Sequence, residues 1–179
     1  MGLRVQAIET VGKKIADSWD DFVTINTEDD GSQKYDIVVN LDAEKKHSDT
    51  VEYGVYESVS HSLKHAFEAG SYNFFYNEWC KNLAVMVYGQ SNVTVRSESS
   101  NHTIGDPFYE LIDFTSRGGF IGHPFCSKLY KDFTDFEERY IKSLENIDSA
   151  SKVKMYTRVY ENFKVAFKLA SNGGVVVFC

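Results

Sequence analysis

The sequence predicts an α+β fold: a small, mostly antiparallel sheet of N-terminal strands plus one C-terminal strand, packed against three main aromatic-rich helices. Three observations predict it. Near the N-terminus apolar residues alternate with polar ones, at Leu3, Val5 and Ala7 and again at Tyr35, Ile37, Val39 and Leu41. In the second half, rings recur every three or four residues. The sequence then closes on a short apolar run, Val175 to Phe178.

Taken in order, Leu3 to Glu9 reads as a strand. Phe22 to Thr27 is β-rich, Glu28 to Ser32 is a turn cluster, and the alternation from Tyr35 to Leu41 completes a hairpin. Asp42 to Thr50 is a charged surface loop, and Val51, Tyr53 and Val55 suggest a further strand. Val59, Leu63 and Phe67 step by four up to Gly70, which predicts a short helix. Tyr72, Tyr76, Trp79, Leu83 and Met86 lie on one face of the first main helix. Gln90 to Gly105 is polar and aperiodic, the pattern of a mobile loop inserted in a single domain spanning 1–179. Pro107 to Phe114 is a short apolar element of either type, and Gly118 to Gly122 a glycine-rich turn. Pro124 suits the first position of a second helix, whose face is Phe125, Leu129, Phe133, Phe136, Tyr140 and Leu144. The third helix presents Val153, Tyr156, Tyr160, Phe163, Phe167 and Ala170, with Asn172-Gly173-Gly174 as its stop.

The net charge of −7 over 179 residues disfavours a phosphate-backbone partner, which needs a basic face, so no nucleic-acid duplex is expected. No apolar stretch reaches the roughly 18 residues of a membrane span. The N-terminus lacks an apolar signal core, and Cys80, Cys126 and Cys179 are odd in number and far apart. Free thiols in a reducing cytoplasm fit that usage.

Several groupings could carry chemistry. His61 and His65 would sit one helical turn apart, a metal-compatible spacing, but Ser62 stands where the zincin pattern needs Glu; exposed helix histidines are the plainer reading. His123 and Cys126 flank a helix N-terminus, where the dipole would lower a thiol's pKa; a core thiol is the alternative. Arg117, Gly118, Gly119 and Gly122 offer backbone N–H groups and a guanidinium fork at a helix entrance, enough to hold a phosphate or carboxylate. The Walker ending Gly-Lys-Ser/Thr is absent, and the glycines also fit a plain tight turn. The ring cluster around Tyr72, Tyr76 and Trp79 could stack on a base or fill a core. No metal or cofactor is expected.

Met1-Gly2-Leu3, Tyr76-Asn77-Glu78-Trp79, Pro107-Phe108-Tyr109-Glu110-Leu111-Ile112-Asp113-Phe114 and Ile121-Gly122-His123-Pro124 form an ordered series with Lys128-Leu129-Tyr130-Lys131-Asp132-Phe133, Ala166-Phe167-Lys168-Leu169-Ala170 and the terminal Asn172-Gly173-Gly174-Val175-Val176-Val177-Phe178. From roughly Gly70 onward the series resembles an uncharacterised family of small bacterial and phage proteins. Relatives carry Glu-Gly before the Ile-Gly turn, where this sequence has Ser116-Arg117-Gly118-Gly119-Phe120. The exchange of acid for Arg weakens an acid-dependent role and favours anion binding. The resemblance implies a bacterial or phage accessory gene of the kind found near defence and mobile elements.

The expected function is a non-enzymatic intracellular binding protein. In that setting it would be an anti-defence factor sequestering a nucleotide-type signal through Arg117, Gly118, Gly119 and Gly122, with Tyr72, Tyr76 or Trp79 on the base. The alternatives are an immunity or inhibitor protein that binds a partner protein, and a small hydrolase using His123, Cys126 or nearby carboxylates. A homo-oligomer is left open.

Overall fold

The computed structural model describes residues 2–21, 38–41, 46–48, 51–59, 61–114 and 119–179, with the backbone alone at 38–40, 46, 72 and 73. Among the described residues, eight strands form two sheets. The larger is built from β1 (Gly2–Ile8), β4 (Lys46–His47), β6 (Lys64–Ser71), β7 (Gly119–Gly122) and β8 (Val175–Phe178), in the order β4-β7-β8-β1-β6. Its pairs are antiparallel except β4 with β7. The smaller sheet joins β2 (Val11–Ala16), β5 (Val55–Ser58) and β3 (Val38–Asn40), in that order.

Alternation along the central strands creates three layers. Leu3, Val5 and Ala7 of β1, Ile121 of β7, and Val176 and Phe178 of β8 enter the main core beneath the helices. Ile8, Phe120 and Val175 point to the opposite face, where they meet Leu41, Val51 and Tyr56. The helical layer begins with a π-helical turn, Tyr72–Tyr76, which runs into α1 (Asn77–Tyr88). It continues through α2 (Asn92–Val95), α3 (Tyr109–Asp113), α4 (His123–Asp135), α5 (Glu137–Leu144) and α6 (Ala150–Ala170).

The α+β class, the C-terminal strand and the three aromatic helices agree with the sequence reading. The longest helix, α6, starts where the Ser149 hydroxyl accepts from Lys152 N at 3.3 Å and stops where Gly174 N donates to Ala170 O at 3.2 Å. Its rings at Tyr156, Tyr160, Phe163 and Phe167 are all buried.

Four segments differ from expectation. Residues 64–71 form a strand, not a helix: β6 pairs with β1 from Ile8↔Lys64 to Gly2↔Ser71, and His65, Phe67 and Ala69 supply the period of two. The strand expected at Val51 to Val55 begins instead at Val55, and of the expected hairpin Phe22 to Leu41 only Val38–Asn40 is a described strand; residues 22–37 lie outside the described residues. The polar stretch 90–105 contains α2 rather than only loop. There Val95 is fully buried, the Asn92 amide donates to Asn77 Oδ1 at 2.7 Å, and the Arg96 Nε–H donates to the Ile112 carbonyl. The helix expected over 124–145 breaks at Phe136 (φ −101°, ψ 7°), where neither proline nor glycine marks the sequence.

Candidate functional site

The segment expected to bind an anion is not an open turn where it is described. Gly119–Gly122 is a wholly buried strand, paired with Val175–Phe178 along its length and flanked on its other edge by Lys46–His47. Its amides are therefore committed to a sheet rather than presented to a ligand. Gly119 holds φ +146°, a conformation that side-chain-bearing residues rarely adopt. At Gly122 the requirement is space, because a Cβ would lie 2.1 Å from Ser48 Oγ. Gly122 also leads into α4 with no side-chain cap, and Pro124 occupies the first turn without an N–H. Arg117 and Gly118 lie outside the described residues.

The expected stacking rings are core groups. Tyr76 is 1% exposed and Trp79 is 0% exposed, so neither offers a face to a base. Their polar ends are used internally: Tyr76 Oη donates to Leu111 O at 3.3 Å, and Trp79 Nε1–H donates to Tyr140 Oη at 2.9 Å. The side chain of Tyr72 lies outside the described residues. The structure thus brings Tyr76 and Trp79 together, with ring centroids 6.0 Å apart, but as packing.

The histidine and cysteine pairings also change character. His61 sits in a turn and His65 in β6, so they do not share a helix face. His65 Nε2 lies 3.1 Å from Asn162 Oδ1 instead. Cys126 is fully buried and donates to Ile121 O at 3.1 Å. Burial pushes this thiol upward, opposite to the lowering expected at a helix N-terminus.

Two polar clusters rest on tertiary contacts that sequence spacing does not signal, the Lys128–Asp132 pair one turn apart on α4 excepted. His47, nearly buried on β4, places Nε2 3.3 Å from Asp113 Oδ2, with the Phe114 and Phe125 rings 6.3 and 6.2 Å away. The second cluster joins two of the segments that carried the resemblance. Lys128 Nζ on α4 lies 2.6 Å from Glu110 Oε2 and 2.9 Å from Asp132 Oδ2, and also donates to the Asp106 carbonyl. Glu110 is 0% exposed, and its second oxygen accepts from Gly105 N at 2.8 Å. Asp132 Oδ2 accepts from the amide of Phe108, a non-glycine residue held at φ +57°. Such a conformation persists only where surrounding contacts over-determine it. These charges are mutually satisfied, so the cluster anchors the 103–113 segment onto α4.

A groove opens in the helical layer at the α5–α6 hairpin. Ile141 and Leu144 line one wall, Val153 and Thr157 the other, and Ile147 lies in the connecting turn. Its volume is about 690 Å3, and Glu145 and Lys154 stand on its lining. Ile141 is 58% exposed within this apolar lining. On the other side of Ile147 a smaller hollow of about 180 Å3 includes Val85, itself 50% exposed. The outward position of Ile141 beside Lys142 could have been noticed in the sequence; the groove could not, because it depends on the hairpin angle.

Among the described residues no group of three or more His, Cys, Asp or Glu side chains is placed to hold a metal, and no helix is long and apolar enough to cross a membrane. Comparison with protein-family models matches none, and searches of curated proteins and of solved structures return no match.

Proposed function

We propose that this chain is a non-enzymatic binding protein that acts by covering a partner protein through the α5–α6 groove. The observation that carries the reading is the apolar groove itself, with Ile141 exposed and Ile147 and Val153 half-buried beside the charged Glu145 and Lys154. An exposed apolar patch rimmed by polar groups is the usual form of a protein-binding face. The burial of Tyr76 and Trp79 removes support from nucleotide stacking and shifts the balance towards a macromolecular partner. Immunity and inhibitor proteins work in this manner, and the resemblance supports setting the chain among bacterial or phage accessory proteins of the cytoplasm.

The test is quantitative capture with the full chain and with Ile141→Asp, read by cross-linking mass spectrometry. A stoichiometric partner cross-linked at the groove and lost from the variant is expected. Equal recovery by both forms, or recovery of nothing, refutes the reading. A calorimetric panel of mono-, di- and cyclic nucleotides run in parallel should show no heat; binding would return the phosphorylated-ligand reading to first place.

A further inference from the structure

The groove has the features of a surface that recognises itself. Ile141, 58% exposed on one wall, and the half-buried Ile147 and Val153 stand on a single apolar patch, so exposed apolar surface and a hollow lie together. A twofold interface requires this arrangement, because each residue of the patch must meet a complementary residue of the same patch. The charges have the same property. Glu145 and Lys154 both line the groove, both are exposed, and among the described residues neither forms an ion pair within the chain.

The distribution of charge also favours this face. The chain carries −7, so two copies repel over most of their surfaces. Residues 137–158, which build the hairpin, hold five basic and four acidic side chains, a net +1. The rest of the chain therefore carries −8, and the groove lies on the segment that does not share that excess of negative charge.

We infer that the occupant of the groove is a second copy of this chain, in a twofold dimer that inserts Ile141 of each copy into the other's groove and pairs Glu145 with the other copy's Lys154. This rests on the groove being a protein-binding face, and it names the partner. Closing the interface removes the exposed isoleucines from water, and both unpaired charges gain partners at the polar rim.

The test is sedimentation velocity with the purified chain from micromolar to millimolar concentration. Wild type should show a concentration-dependent dimer, and Ile141→Asp should stay monomeric with its thermal midpoint unchanged. Glu145→Lys and Lys154→Glu should each weaken the dimer about tenfold, and the double exchange should restore it. A monomer at every concentration overturns the inference, as does a dimer indifferent to these substitutions or a double exchange that fails to recover. The failures are distinguishable: if wild type is monomeric yet captures another protein in an Ile141-dependent way, the binding function stands and only the identity of the partner falls.

Discussion

Replacing Phe163 by alanine removes the ring on which the helical layer converges. Phe163 is fully buried. It stacks on Trp79 at 5.1 Å and meets Phe67 edge-on at 5.0 Å, with Tyr76, Phe133, Phe167 and Phe178 between 5.8 and 6.4 Å. The neighbours belong to four helical segments and two strands, so no single element can move in to fill the space. Truncation leaves a void of roughly 100 Å3, which at about 24 cal/mol per Å3 costs near 2.4 kcal/mol; lost transfer free energy adds about 2 kcal/mol more. A total of roughly 4 kcal/mol is a large share of the 5–15 kcal/mol typical of a domain. Urea unfolding followed by Trp fluorescence measures it, as a midpoint lowered by about 2 M at an unchanged slope. Phe74→Ala is the control, because that ring is 78% exposed and should change stability by no more than about 0.5 kcal/mol. A midpoint for Phe163→Ala within about 0.5 M of wild type would refute the convergence of the core on this ring.

Tyr140→Phe should cost about 1–3 kcal/mol by the same assay, because Trp79 Nε1–H loses its buried acceptor; an unchanged midpoint would show that the bond contributes nothing net. Gly122→Ala should destabilise by about 1–3 kcal/mol, since its Cβ would press on the Ser48 side chain; a stabilised variant would contradict the close approach. Asp132 should make the fold less stable as pH rises. Burial lifts its folded-state pKa above the ordinary 3.8, so the folded chain keeps a proton that the unfolded chain has released. The associated stability is present below 3.8 and is lost as pH climbs from there through the folded value. Denaturation midpoints across that window should fall for wild type relative to Asp132→Asn, and parallel curves would dismiss the effect. Native thiol titration should find Cys179, the exposed thiol, reacting before Cys80 and Cys126, which stay protected, burial having pushed Cys80 up to about 12, and all three should appear after denaturation without reductant; a pair that appears only after reduction would contradict free thiols.

What could be read from the sequence was whatever a local period determines. The ring spacing of α6 leaves one face to bury, and Val175–Phe178, apolar at every position, suits a strand covered on both sides. Residues 59–71 satisfy two periods at once: Val59, Leu63 and Phe67 suit a helix, while His65, Phe67 and Ala69 suit a strand. Pairing with β1 decides for the strand, and that partner lies far away in sequence. Gly119 and Gly122 mark places where a side chain is excluded, but not whether a turn or a neighbouring chain excludes it. Here Ser48, the residue that follows β4, does so at Gly122. The Lys128–Glu110 and His47–Asp113 contacts, like the groove, are products of topology, so no spacing rule announces them.

The position of β8 governs the order in which the molecule can be completed. It lies between β7 and β1, with Arg4 and Cys179 exchanging both backbone hydrogen bonds, at 3.1 and 2.8 Å. On a ribosome, β1 emerges before β6 and β8 and can zip onto β6 as soon as that strand appears, but its other edge stays open until β8 arrives. At about 5–20 residues per second, that edge waits roughly 10–30 s. During this interval β1 and β7 are unjoined edges, and the rings of α6 have half a sheet to rest on. The nascent chain is then a template for foreign strands. Cells making this protein would therefore meet its aggregation hazard during synthesis rather than after it, and slowing elongation late in the message should lower the soluble yield more than slowing it early.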